Sequence, residues 1–294
     1  MFAATSRRLS PSLLSCSRRG LATAAATRPR TAIVTGAARG IGKAIALRLA
    51  RDGYDVCVND LPVLQAEAES VAREIGSMDG RRACVALGDV SDASQVGDVV
   101  ATSVGSLGPL DTMVANAGVA RVKALLEYEA GEFEHIFRVN VGGVHNCFAA
   151  ASRQLIAQGE CTPQRPGKLL AASSVAGFRA MGLMGPYGAT KFAVRGLVQA
   201  YALEMGPHHI TANAYGPGII GTDMWELIDR ELGKVAGGEV KAGEMMQKTA
   251  EGAIALGRTG VADDVTGLVS FLAGKDSNYI TGQTQIVDGG LFLT

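Results

Sequence analysis

The sequence predicts an α/β domain: one parallel, doubly wound sheet with helices on both faces. Three observations predict it. From Thr31 onward, short apolar runs alternate with helical stretches, and strands that alternate with helices pair in parallel beneath two helical layers. A chain of 294 residues, 47% of them hydrophobic, is long and apolar enough for one large domain of that kind. A glycine cluster then stands between the first strand and the first helix, where such sheets bind ligands.

The elements follow in order. Thr31–Thr35 is an apolar run of buried-strand length. Gly42–Arg51 is a helix whose Ala44, Ile45, Leu47 and Leu49 supply an apolar face. Asp55–Asn59 is a second strand, and Leu64–Ile75 an amphipathic helix with Glu67, Glu69, Arg73 and Glu74 outward. Arg82–Leu87 is a third strand; Ser91 is placed to cap the helix that runs through Val99 and Val100. Thr112–Ala115 is a fourth strand, and one long helix covers much of Glu129–Gln158. Strand Lys168–Ala172, helix Gly185–Met205, strand Ile210–Ala214, helix Val261–Ala273 and strand Gln285–Val287 complete the alternation. The irregular insert Gly221–Leu256 holds the only tryptophan, Trp225. An insert at the carboxyl end of a strand reads as a lid over a site. No repeat and no second core divides the chain.

Composition narrows the function. Lys+Arg and Asp+Glu both number 28, so no basic bias points to nucleic acid. Cys16, Cys57, Cys84, Cys147 and Cys161 are scattered, with no spacing that suggests a metal site. No apolar run reaches the 18 or so residues of a membrane span. The charge is uneven, however. The first 30 residues hold Arg7, Arg8, Arg18, Arg19, Arg28 and Arg30 and no acid, and they are rich in serine. That composition reads as a mitochondrial transit peptide over 1–28, leaving 29–294 as the folded domain.

Three motifs carry chemistry. Gly36-Ala37-Ala38-Arg39-Gly40-Ile41-Gly42 leaves a strand and enters a helix. Glycines let the backbone approach a pyrophosphate, and a helix start presents free N–H groups to it. Asp60 ends the second strand, where a carboxylate accepts hydrogen bonds from adenosine ribose hydroxyls and repels a 2′-phosphate. Asp60 thus favours NAD over NADP, while Arg39 pulls the other way. Finally, Tyr187 and Lys191 are four apart on a predicted helix, so they share a face, and Ser174 lies upstream across a glycine-rich loop. A phenol beside an ammonium is a proton donor with a lowered pKa.

Together these motifs resemble the short-chain dehydrogenase/reductase family, of one-domain Rossmann type. The resemblance runs from about Thr31 to Thr294 and rests also on Asp89-Val90, Asn116-Ala117-Gly118, Asn140 and Pro217-Gly218 with Thr222. Ala115 departs from the family pattern, where a second Asn is usual, as does Thr190, where Ser is commoner. The resemblance implies that Tyr187 is the general acid/base and that Lys191 lowers its pKa and binds the nicotinamide ribose. It implies that Ser174 orients the carbonyl and that Asn140 holds a water as part of a proton relay. Asp89 and Val90 would face the adenine, Asn116 would run beside the cofactor, and Pro217, Ile220 and Thr222 would contact the nicotinamide. It also implies a homotetramer and no metal.

Within the family, Asn59-Asp60, Asn213–Ile219 and Met224–Asp229 are most similar to the branch that acts on acetoin, diacetyl and 2,3-butanediol. A mitochondrial 3-oxoacyl carrier-protein reductase using NADPH is the chief alternative, supported by Arg39 and the leader. A non-catalytic NAD(H)-binding sensor is a third, disfavoured because Asn140, Ser174, Tyr187 and Lys191 are all present.

Overall fold

The structure, a computed structural model, describes residues 28–235 and 251–293. Seven strands form one parallel sheet in the order β3-β2-β1-β4-β5-β6-β7. They are β1 (Arg30–Thr35), β2 (Tyr54–Asp60), β3 (Ala83–Leu87), β4 (Thr112–Ala115), β5 (Gly167–Ala172), β6 (Ile210–Pro217) and β7 (Thr284–Val287). The main helices are α1 (Gly40–Arg51), α2 (Gln65–Gly76), α3 (Ala93–Leu107), α4 (Ala130–Phe137), α5 (Gly143–Gln158), α6 (Gly185–Met205), α7 (Asp223–Val235) and α8 (Ala262–Ala273).

Side chains along each strand point to alternate faces, and both faces are covered. In β1, Ala32 and Val34 pack with Ile45, Leu49, Val71 and Val269 beneath α1, α2 and α8. Ile33, between them, packs with Val99, Phe148 and Val194 beneath α3, α5 and α6. Burial on both faces explains why the strands read as apolar runs and not as alternating patterns. Among the described residues, no helix is long and apolar enough to cross a membrane.

The order reverses at β1, which pairs with β2 on one side and β4 on the other. At that switch point the loops leaving adjacent strands diverge and open a crevice at their carboxyl ends. Gly36, Asn116, Ser173 and Gly218 each follow a strand end on that side.

Three expectations change. The cap of α3 is Asp92, not Ser91; its Oδ1 accepts from the N–H groups of Ser94 at 2.8 Å and Gln95 at 3.3 Å. A carboxylate at the N-cap also meets the positive end of the helix dipole. The long helix over Glu129–Gln158 is interrupted by a π-helical stretch, Arg138–Gly142, which widens the turn and sends Asn140 inward. Strand β6 runs three residues past Ala214 because Tyr215, Gly216 and Pro217 pair with Gln285, Ile286 and Val287 of β7. Of the expected lid, residues 221–235 and 251–256 are described; 236–250 and the expected leader, apart from Arg28, lie outside the described residues. Arg28 itself bonds to Asp111 and Glu160 on the body of the domain.

Candidate active site

The crevice is a cleft of about 550 Å³. Its phosphate end is the β1–α1 turn. Gly36 and Gly40 have φ of +62° and +57°, the left-handed region that favours glycine. A Cβ on Gly42 would run into the Gly36 carbonyl oxygen, so the loop closes only without a side chain there. Helix α1 has no side-chain cap and no acid in its first turn. Its first N–H groups therefore face the cleft without a competing carboxylate, which fits a dinucleotide pyrophosphate.

Asn116 braces this turn. Its Nδ2 donates to the carbonyls of Thr35 at 3.0 Å and Gly36 at 3.2 Å, and its Oδ1 accepts from the Tyr215 hydroxyl at 3.0 Å. Asp60, at the end of β2, accepts the Ala38 N–H through Oδ2 and the Leu61 N–H through Oδ1, both at 2.9 Å. The glycine loop is thus tied to the strand end that would receive the adenosine ribose.

At the other end, Tyr187 and Lys191 share one face of α6, with the Lys191 nitrogen 5.4 Å from the centre of the Tyr187 ring. Lys191 is 4% exposed and donates to the Ala172 carbonyl at 2.8 Å. Burial, without a paired carboxylate, holds its ammonium down to about 8. Burial pushes the Tyr187 phenol up from its ordinary value, and the hydrogen bond with Ser174 opposes that. The ammonium lies over the ring and spends a hydrogen bond on the backbone. The two serines divide the work. Ser173 donates to the Lys191 carbonyl at 3.1 Å and anchors α6, while Ser174 caps the turn Val175–Gly177 through the Ala176 N–H, lines the cleft with Tyr187, and has its hydroxyl 3.5 Å from the Pro217 carbonyl.

Gly36, Arg39, Gly40, Ile41, Gly42, Asp60, Asp89, Val90, Asn116, Ser174, Tyr187, Lys191, Pro217, Ile220 and Thr222 all line this one cleft. Asn140 does not. It is fully buried, and its amide clamps Val119, accepting from the N–H at 2.8 Å and donating to the carbonyl at 2.9 Å. A further bond runs to Thr190 Oγ1 at 3.1 Å, and Thr190 donates to the Tyr187 carbonyl at 2.6 Å. Asn140 therefore joins the cleft wall to the helix that carries Tyr187.

Sequence reasoning missed Tyr215 and Asp223, whose partners lie 99 and 184 residues away. It also missed Ala120 and Ile228, which form an apolar cap with Met181, Met184, Met224 and Trp225 against Tyr187. Leu183, before α6, has φ of +63°, an uncommon state for a non-glycine residue. Its carbonyl is held by the Lys123 N–H at 2.8 Å.

Comparison with known proteins agrees with this geometry. The family model "short chain dehydrogenase" matches residues 30–233. The chain is 43% identical to an L-2,3-butanediol dehydrogenase of Corynebacterium glutamicum, over 89% of this chain and 98% of the relative. It is 40% identical to a diacetyl reductase [(S)-acetoin forming] of Staphylococcus epidermidis, over the same shares. The solved gluconate 5-dehydrogenase of Burkholderia cenocepacia, in complex with NADP and tartrate, superposes with a TM-score of 0.78 at 31% identity. That match covers 90% of this chain and 96% of the other. With the glycine turn, the acid at the end of β2 and the Ser–Tyr–Lys cluster in one cleft, the chain belongs to the short-chain dehydrogenase/reductase family, as an NAD(P)-dependent enzyme acting on CH–OH and C=O groups.

Proposed function

We propose that the protein interconverts a small, uncharged ketone and its secondary alcohol, of the diacetyl, acetoin and 2,3-butanediol class, using NAD(H). The observation that carries this reading is the cap over Tyr187. Met181, Met184, Met224, Trp225 and Ile228 are thioether, indole and alkyl groups, which take a short apolar substrate. The names of the two relatives above point the same way. Asp60 supports NAD(H) through its carboxylate at the ribose end.

NAD(H), when bound between the glycine turn and Pro217, supplies or accepts the hydride. Tyr187 exchanges a proton with the substrate oxygen; its raised phenol is protonated at neutral pH and serves as the acid for ketone reduction. Ser174 is the hydroxyl that orients that oxygen and stabilises its developing charge. Lys191 and Asn140 position Tyr187, one along the shared helix face and one through Thr190.

A panel of short diketones, hydroxyketones and diols with NAD(H) and NADP(H), together with acetoacetyl thioester, tests the reading. Turnover of diacetyl or acetoin with NADH supports it. Preference for the thioester with NADPH would instead select the carrier-protein reductase reading, which Arg39 favours. A Tyr187→Phe protein is expected to keep NADH binding and to lose turnover by about a thousandfold or more; equal turnover would refute the proton-transfer role. The arginine- and serine-rich, acid-free composition of residues 1–28 supports delivery to mitochondria. Fusing that segment to a fluorescent reporter tests it, and cytosolic fluorescence counts against it.

A further inference from the structure

Four ionic side chains line the cleft around the glycine loop and the ends of β2 and β3: Arg39, Asp60, Asp89 and Asp223. Asp60 is turned onto the glycine loop, and its bond to the Ala38 N–H brings it within one residue of Arg39. Arg39 nonetheless pairs elsewhere. Its Nη1 lies 2.9 Å from Asp223 Oδ2, across the cleft mouth, in the first turn of α7. Thr222, just before Asp223, packs within 3.7 Å of the space a Cβ on Gly40 would fill, so the start of α7 abuts the glycine loop. The Arg39 and Asp223 side chains are 61% and 64% exposed, so water competes with the pair and a stronger anion can displace it.

We propose that Asp223 is a determinant of coenzyme choice: it occupies the Arg39 guanidinium, so that a 2′-phosphate entering beside Asp60 meets two carboxylates and an arginine already engaged. A phosphate monoester carries close to two negative charges at neutral pH. A planar guanidinium is the side chain best shaped to bind one, through two parallel hydrogen bonds. The glycine loop therefore carries a group that would suit NADP, and the lid helix withholds it. The proposal rests on the reading that the adenosine ribose of NAD(H) lies at Asp60.

Removing Asp223 has two effects on NADPH. It releases Arg39, and it takes away one repelling charge; only the first depends on Arg39. The test is a double-mutant cycle of wild type, Asp223→Asn, Arg39→Ala and the double variant. NADPH and NADH are titrated by quenching of Trp225, which lines the cleft and is the only tryptophan of the chain. Binding is read directly and no turnover is needed. Asp223→Asn is expected to tighten NADPH by about fivefold. Most of that gain should vanish when Arg39 is alanine, and NADH should show no such coupling. No gain, or an equal gain in both Arg39 backgrounds, overturns the proposal. If Asp60 keeps NADPH too weak to titrate, the same cycle in an Asp60→Ser background separates the same two outcomes. Tighter binding of NADPH than NADH by the wild type would overturn the NAD reading on its own, and the Arg39-dependent difference would still decide the role of Asp223.

Discussion

Lys168 shows how one residue can work against the fold that holds it. It lies on β5, fully buried, with its ammonium donating to Ser277 Oγ at 3.0 Å. Burial, with the Arg30 charge nearby, holds it down from 10.5 to about 8. The folded protein thus binds this proton less tightly than the unfolded chain. Between about pH 8 and 10.5 the unfolded state carries more protons, so stability rises with pH across that window. Below it the penalty is complete, about 3 kcal/mol. Lys168→Met keeps the volume and removes the charge, and Ser277 still donates to the Leu272 carbonyl at 2.7 Å. The variant is expected to melt roughly 5 °C higher near pH 7. Its advantage should shrink towards pH 10.5; thermal melts across that range check both. Lys191 shows the same depression through burial, but at a position that lines the cleft.

At the scale of elements, the interruption between α4 and α5 matters most. A regular helix over that span would carry Asn140 past the cleft wall. The π-helical turn aims its amide at the edge of Val119 and at Thr190 of α6. Asn140→Ala leaves the Val119 N–H and carbonyl without these partners and is expected to cost about 2–4 kcal/mol. Because Val119 lines the cleft and Thr190 holds the Tyr187 carbonyl, kcat should fall as well. Asn140→Asp keeps the acceptor for the Val119 N–H but sets a buried carboxylate oxygen against the Val119 carbonyl and Thr190 Oγ1, so its loss of stability should be at least as large. Denaturant midpoints and kcat measured together check this; an unchanged midpoint for the alanine variant would show that the clamp carries no weight. The long predicted helix was legible from its apolar spacing. Its break was not, because a single widened turn leaves no mark on composition.

For the whole molecule, the sheet order places every strand end that matters on one side, and the cleft follows from the reversal at β1. One outer surface keeps apolar groups in water: Phe192 and Leu203 on α6 are 44% and 81% exposed. We infer that this face is covered by a second copy of the chain, as the family resemblance implies for a tetramer. Leu203→Asp, a charge placed on that face, is expected to lower the native mass in analytical ultracentrifugation. A wild type that sediments as a monomer would remove the inference.

The sequence alone determined the α/β class, nearly every strand and helix, the glycine turn and the Ser174, Tyr187 and Lys191 set. These are local matters: apolar periodicity, a turn that only glycine can make, and a four-residue spacing on one helix. Tertiary structure decided what spacing cannot carry. It separated Ser174, in the cleft with the phenol, from Ser173, on the Lys191 carbonyl. It turned the Asn140 amide onto Val119 and Thr190 behind the cleft wall, and bound Arg39 to Asp223 across 184 residues. Such choices depend on which groups the folded chain leaves close enough to pair and how much water it leaves between them. Neither quantity exists until the sheet and its helices have closed around the cleft.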